Sequence, residues 1–159
     1  MSLAIVPGSF DPVTCGHLDI IERASRLFDH VTVAVAVNRR KSPLFSDDER
    51  VQMLTEACAH LSNVGVTRFS GLLATYAQSV GATAVVRGLR AVSDFEYELQ
   101  MAHTNRRLCP DVETVFVMTT TEYSFLSSSI VKEIARFGGS VEGLVPESVR
   151  QRLRDKLRP

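Results

Sequence analysis

The chain has 159 residues and carries 18 Lys plus Arg against 18 Asp plus Glu, a formal net charge of zero. That length suits one compact domain with a core that needs no disulfide or metal staple, so residues 1–159 are read as a single domain. The balanced charge excludes a long-range field pulling the protein onto nucleic acid or an anionic membrane; neither is expected as a partner, and any basic site must be local.

No stretch approaches the roughly 20 apolar residues that span a bilayer. The N-terminal M-S-L-A-I-V-P has no basic region ahead of its apolar run and reads as a first strand, not a signal peptide. Cys15, Cys58 and Cys109 are odd in number and far apart, with no C-x-x-C pair. A disulfide framework or zinc knuckle is therefore not expected, and a reducing, cytoplasmic setting fits.

Short β-branched runs alternate with helical stretches. Residues 3–6 form the first strand, and Leu18, Ile21, Ala24 and Phe28 then recur at helical spacing. Residues 31–37 form the second strand, followed by Ser46 and Glu49 in a capping-box pattern, S-D-D-E, ahead of a helix. Residues 64–69 and 83–86 are the third and fourth strands. Ser93 and Glu96 repeat the box as S-D-F-E ahead of a long helix. After a fifth strand at residues 114–118, Ser127 or Ser128 caps a helix that should stop at Gly138-Gly139. Pro146 opens a last, basic helix, most simply an amphipathic surface helix. Most of these strands are continuously apolar, as in a parallel sheet covered on both faces. The expected class is α/β, with a doubly wound five-stranded parallel sheet.

Polar, Gly-rich or basic clusters follow four of the strands, at residues 7–17, 38–46, 87–94 and 119–129. Ligands of such folds bind beyond the carboxyl ends of the strands, at the point where strand order reverses. The first loop is P-G-S-F-D-P-V-T-C-G-H. Gly8 and Gly16 allow close backbone approach to a ligand, and Ser9 supplies a hydroxyl. Gly16-His17 is expected to open a helix whose N-terminus favours phosphate, with His17 facing the anion through a ring N–H. The loop is neither a Walker A motif nor a G-x-G-x-x-G fingerprint.

The T-x-G-H element resembles the (H/T)-x-G-H signature of the nucleotidyltransferase superfamily. Together with R-G-L-R-A-V-S-D-F-E-Y-E and Y-S-F-L-S-S-S-I-V-K-E, the first loop resembles the bacterial phosphopantetheine adenylyltransferase family. The likeness runs from Leu3 to the last helix at matching spacing; Ser9 keeps the family's hydroxyl, and Tyr123 is aromatic where a Trp would serve similarly. The resemblance implies a Rossmann-like nucleotidyltransferase fold and an enzyme that transfers an adenylyl group from ATP to 4′-phosphopantetheine. The products would be dephospho-coenzyme A and pyrophosphate, formed by in-line attack of the acceptor phosphate on the ATP α-phosphate. It implies His17, Lys41 and Arg90 as catalytic residues, with His17 stabilising the pentavalent α-phosphate and Lys41 near the reacting phosphate. Ser9, Lys41, Leu73 and Arg87 would hold the acceptor. Ser9, Phe10, His17, Gly88, Leu89, Arg90 and Glu98, with Tyr123, Ser124, Phe125, Leu126, Ser127, Ser128 and Ser129, would hold ATP. Mg²⁺ held mainly through ATP phosphates and water, feedback inhibition by coenzyme A and a homohexamer are implied in the same way.

The chemistry suits those residue types. Both substrates are polyanions, and two unit charges 4 Å apart repel by about 1 kcal/mol in water and about 4 kcal/mol at an effective dielectric near 20. A phosphate dianion is already a nucleophile, so the site needs cations, N–H donors and alignment more than a base. Asp11 and Asp94 are accordingly read as loop scaffolding. Arg87 and Arg90 could form a salt-bridged loop with Asp94 or Glu96, but anion binding is preferred, because a buried strand end is an expensive place for unpaired charge. Arg39 and Arg40 stay open between surface and site. His30 and His60 are read as structural, as is His103, for which a minor role is left open. The rival readings are a nucleotidyltransferase with another acceptor, such as nicotinamide mononucleotide or glycerol phosphate, and a non-catalytic nucleotide sensor on the same fold.

Overall fold

The computed structural model describes residues 1–90 and 92–158, with the side chains of Val92 and Ser93 outside that description. Its elements, in chain order, are β1 (Leu3–Gly8), α1 (Cys15–Leu27), β2 (His30–Ala36), α2 (Asp47–Ala57), β3 (Val64–Phe69), α3 (Leu73–Ser79), β4 (Ala84–Leu89), α4 (Val92–Leu108), β5 (Glu113–Met118), a 3₁₀ turn (Thr121–Tyr123), α5 (Ser128–Arg136) and α6 (Glu147–Leu157). The five strands form one sheet in the order β3-β2-β1-β4-β5, every pair parallel. This is the doubly wound α/β sheet that the alternation of elements led us to expect, with its switch point between β1 and β4.

Side-chain alternation along the strands divides the core. Ala4 and Val6 of β1, Val31, Val33 and Val35 of β2, and Ala84 and Val86 of β4 face the larger cluster, with Ile21 and Ala24 of α1 and Leu153 of α6. Ile5, Ala34 and Val85 face the opposite side, where Ala74 and Ala77 of α3 pack with Cys109 and Val112. Small residues on that second face bring α3 close to the sheet.

Three differences from the sequence reading bear on the frame of the site. β4 runs on to Leu89, so Arg87 and Gly88 lie within the strand, opposite Phe116 and Val117 of β5, and not in the loop after it. The short α3 was not anticipated: its N-cap is Leu72, with no side-chain cap, and its seven residues carry no start signal. Pro146 is the N-cap of α6 and not its first helical residue. Two helix-start signals hold. Ser46 and Glu49 form the reciprocal box at α2. Ser127 caps α5, which ends before Gly138, at a φ of 75°. The expected Ser93 cap falls on a side chain outside the described residues.

Ile21 is fully buried on the face of α1 that meets the sheet. Ile21→Ala should cost about 2–5 kcal/mol of unfolding free energy in urea titration, and a loss below about 1 kcal/mol would mean that this face does not seat the helix.

Candidate active site

β1 and β4 pair only at Ala4–Ala84 and Ile5–Val85, whereas β4 and β5 stay paired for six residues, to Leu89–Met118. Beyond Ile5, Pro7 has no N–H to extend a ladder, and the two strand ends part. The opening between them is a cleft lined by Gly8, Ser9, Phe10, Thr14, His17, Arg87, Gly88, Arg90, Glu98, Thr119, Tyr123 and residues 126–128, among others. Arg87 spans the gap at its base: Nη1 donates to Pro7 O at 3.2 Å.

The β1–α1 loop is shaped by close contacts. Phe10 has a φ of 50°, a left-handed conformation unusual for a bulky residue, and its ring is buried edge-on against His17 at a centroid distance of 4.9 Å. A Cβ on Gly8 would lie 3.0 Å from that ring, so the glycine is what lets the loop fold back over itself. A Cβ on Gly88 would lie 3.1 Å from Ile20, so the second glycine admits α1 against β4.

Helix α1 begins at Cys15, with Thr14 as N-cap, and not at Gly16-His17. His17 takes the place a Glu has in an ordinary capping box. The Thr14 N–H donates to His17 Nδ1 at 3.0 Å, and the His17 N–H donates to Thr14 Oγ1 at 3.3 Å. With Nδ1 accepting, the neutral ring carries its proton on Nε2. Burial pushes the His17 pKa down from 6.5 to about 4, and the nearby charges of Arg90 and Arg87 push the same way. At neutral pH the ring is thus an uncharged donor of fixed tautomer on the cleft wall.

The arginines hold the opposite wall. Arg87 donates from Nε and Nη2 to the two oxygens of Glu98, at 2.8 and 2.6 Å. Glu98 is buried, and Arg87 is about a third exposed. Arg87 is therefore not an unpaired charge at a strand end, which corrects the argument that favoured it as an anion site. The partner is Glu98, one turn beyond Asp94 and two residues beyond Glu96. One N–H on each Nη stays uncommitted within the side chain's five. Arg90 donates to Asp94 at 3.0 Å and to Leu126 O at 2.7 Å, tying the start of α4 to the 3₁₀–α5 loop.

Not every anticipated residue enters this cleft. Ser9, Phe10, His17, Arg87, Gly88, Arg90, Glu98, Tyr123, Leu126, Ser127 and Ser128 line it; Lys41, Leu73, Leu89, Ser124, Phe125 and Ser129 do not. Lys41 and Ser129 line a second cleft, which shares Ser9 and Ser128 with the first and adds Asn38, Arg50 and Lys132. Leu73 lines a third, which shares Arg87 and Glu98 with the first and adds Tyr97, Met101 and Asn105. Leu89 offers its carbonyl to Thr119 N–H, and Phe125 is largely exposed.

Asp11 fits its scaffolding role. It is buried and accepts from the N–H groups of Leu44 and Phe45, each at 2.9 Å, and from Lys132 Nζ at 3.1 Å. The sequence reading missed Thr14, Arg50 and Lys132. Thr14 was findable, because T-x-x-H has capping-box spacing. Arg50 and Lys132 lie on helices 82 residues apart, with no local signal to pair them.

An all-parallel sheet with this cleft at its switch point defines an open α/β protein that binds its ligand beyond the carboxyl ends of the strands. A family model described as cytidylyltransferase-like matches residues 5–134. A solved chain named as a nicotinate-nucleotide adenylyltransferase from Vibrio parahaemolyticus superposes with a TM-score of 0.72, covering 100% of this chain and 98% of that one at 17% identity, which shows the shared fold alone. Three proteins named phosphopantetheine adenylyltransferase are much nearer in sequence. That of Alkaliphilus oremlandii is 58% identical over 99% of this chain and 100% of its own. That of Heliobacterium modesticaldum is 57% identical over 98% and 93%, and that of Synechococcus elongatus 59% identical over 98% and 94%. The chain belongs to the cytidylyltransferase-like nucleotidyltransferases and, among them, to the phosphopantetheine adenylyltransferase family.

The His17 pKa sets a direction for acid stability. Between pH 6.5 and 4 the unfolded ring binds a proton that the folded ring refuses, so stability is full above pH 6.5 and falls as pH drops through that window. Ring NMR of His17 should show an Nε2–H tautomer with no titration until about pH 4. A midpoint near 6.5, or an Nδ1–H tautomer, would contradict this account of the capping box.

Proposed function

We infer that this chain transfers the adenylyl group of ATP to 4′-phosphopantetheine, releasing pyrophosphate and dephospho-coenzyme A. The observation that carries the reading is identity near 58% along essentially the full length to relatives bearing that name. The reaction proceeds by in-line attack: the acceptor phosphate oxygen forms a bond to the ATP α-phosphorus as the bond to the bridging oxygen of pyrophosphate breaks.

Residue roles are assigned as follows. His17, neutral and donating from Nε2, stabilises the negative charge that builds on the α-phosphate oxygens in the transition state. Arg90 and Lys41 supply positive charge on either side of the reacting group. ATP occupies the first cleft, against Ser9, Phe10, Gly88, Leu89, Glu98 and the segment 123–129, with the capped start of α5 toward its phosphates. The acceptor's phosphate lies near Ser9, Lys41 and Arg87, and its arm reaches toward Leu73. In support, Arg87 and Glu98 border both the first cleft and the one Leu73 lines.

Mg²⁺ would neutralise triphosphate charge when bound. Among the described residues no group of three or more His, Cys, Asp or Glu side chains is placed to hold a metal ion, so the fit is to an ion carried on phosphate oxygens and water. Coenzyme A shares the pantetheine arm of the acceptor and would compete for its site. A homohexamer is carried over from the family; α4, which leaves Phe95, Tyr97, Leu99 and Met101 between 37% and 60% exposed, offers an apolar face for self-association. The three cysteines carry free thiols, in keeping with a cytoplasmic setting.

The test is incubation with ATP, Mg²⁺ and 4′-phosphopantetheine, reading pyrophosphate and dephospho-coenzyme A by mass spectrometry beside nicotinamide mononucleotide and glycerol phosphate. Stoichiometric product is expected with phosphopantetheine only, and turnover of another acceptor would overturn the acceptor assignment. His17→Ala should lower kcat by about 10²–10³ while the Kd for ATP moves only a few-fold. Equal losses in both would remove its transition-state role. Arg87→Ala should weaken acceptor binding in calorimetry and leave ATP binding largely intact; the reverse pattern would reassign it to the nucleotide.

A further inference from the structure

The loops carrying Ser9 and Lys41 leave different strands, and two buried polar side chains cross-link them. One is Asp11, already described. The other is Arg50, in the first turn of α2. Arg50 is only 3% exposed. Its Nη1 donates to Ser9 O at 2.9 Å and to Ala36 O, at the end of β2, at 3.1 Å, while Nη2 donates to Asp47. Its Nε is buried without a partner. The same side chain lines the second cleft beside Ser9, Asn38, Lys41 and Lys132.

A guanidinium buried for packing alone is an unfavourable choice. Removing its charge from water costs several kcal/mol, and an apolar side chain of similar volume would often serve as well or better. Among the described residues its one carboxylate partner is Asp47, itself more than a third exposed. The other two acceptors are neutral carbonyls, one from each loop-bearing strand end, held on a single nitrogen. Only a rigid fork gives that geometry; a Lys keeps the charge but cannot reach two carbonyls and a carboxylate from fixed directions.

We propose that Arg50 is a positioning residue for adenylyl transfer, fixing the Ser9 loop against the Lys41 loop so that the two clefts meet at the reacting phosphates. It acts through the Ser9 carbonyl and the end of β2. The proposal rests on reading the joined clefts as the adenylyl-transfer site. Removing Arg50 lets the two loops drift apart. Each substrate still binds alone, and alignment in the ternary complex is lost, so the effect falls on kcat.

The experiment compares Arg50→Lys and Arg50→Met with the parent protein, counting kcat per ATP-binding site by calorimetry so that unfolded protein does not enter. Both variants should lose at least tenfold in kcat with the Kd for ATP within threefold. Amide hydrogen exchange without substrates should quicken in residues 8–12 and 36–45 and stay unchanged in β4 and β5. Methylguanidine should restore part of the kcat of Arg50→Ala. A kcat per site within twofold of the parent in Arg50→Met, or unchanged exchange in both loops, overturns the proposal. So does failure of Arg50→Lys and Arg50→Met alike to fold, because Arg50 would then be a stability residue. If the parent itself makes no dephospho-coenzyme A, the functional reading fails, while loop exchange still decides whether Arg50 fixes the loops.

Discussion

Two strands that pair for only two residues, Ala4–Ala84 and Ile5–Val85, create the space on which the rest of the site depends. In a fully paired sheet the ends of β1 and β4 would be sealed by backbone hydrogen bonds. Here the crossovers leave in opposite directions from these neighbours, so no connecting helix covers the gap, and Pro7 offers no donor to close it. The cleft is filled from its edges by side chains of α1, β4 and α4. Ile20 is admitted by Gly88, His17 is braced by Phe10 and Thr14, and Arg87 is aligned by Glu98.

That origin explains why the electrostatics are divided as they are. A site for two polyanions needs positive charge, yet cations crowded into a part-buried cleft repel one another. The structure answers with one uncharged donor and several partly neutralised arginines. His17 stays neutral because burial and the fields of Arg90 and Arg87 all oppose a third positive charge. Arg87 is paired with Glu98 and Arg90 with Asp94, leaving free N–H groups on side chains whose direction is already fixed. A preoriented donor is worth more at a developing charge than a mobile one, because it needs no reorganisation when the charge appears.

The class of sheet, the starts of α2 and α5 and the convergence of four loops on one face were legible in the sequence, because they rest on local patterns: β-branched runs, capping residues, and glycines next to a strand. What stayed hidden depended on contacts far apart in the chain. Helix α3 has no cap and is held by Ala74 and Ala77 against the sheet, a tertiary reason that periodicity over seven residues does not carry. The extra length of β4 is set by its pairing with β5. The Arg87–Glu98 pair spans a strand end and about two helical turns, and Arg50 looks like one more charge in an exposed first turn until its contacts are known. Most of the anticipated site residues were brought to one cleft; Lys41, Ser129 and Leu73 came to border neighbouring clefts, joined to the first through Ser9, Ser128, Arg87 and Glu98, while Leu89, Ser124 and Phe125 line none of the three.

A common device links these arginines. The carboxyl edge of a parallel sheet presents carbonyl oxygens, whose partial negative charge would repel a phosphate. Arginines cover carbonyls at this edge and in the loops just beyond it: Arg87 takes Pro7 O, Arg50 takes Ser9 O and Ala36 O, Arg23 takes Met118 O at 2.6 Å, and Arg90 takes Leu126 O. Each of the four is also paired with a carboxylate, Glu98, Asp47, Asp19 or Asp94, so much of its charge is offset where it sits. What the rim gains is direction: carbonyls that faced the cleft are covered, and the guanidinium N–H groups left over point from fixed positions. The same bonds fix the loops that frame the cleft, so rigidity and aligned donors have one source. A neutral chain can serve a polyanion site in this way, through donors placed at the sheet edge and not through net charge.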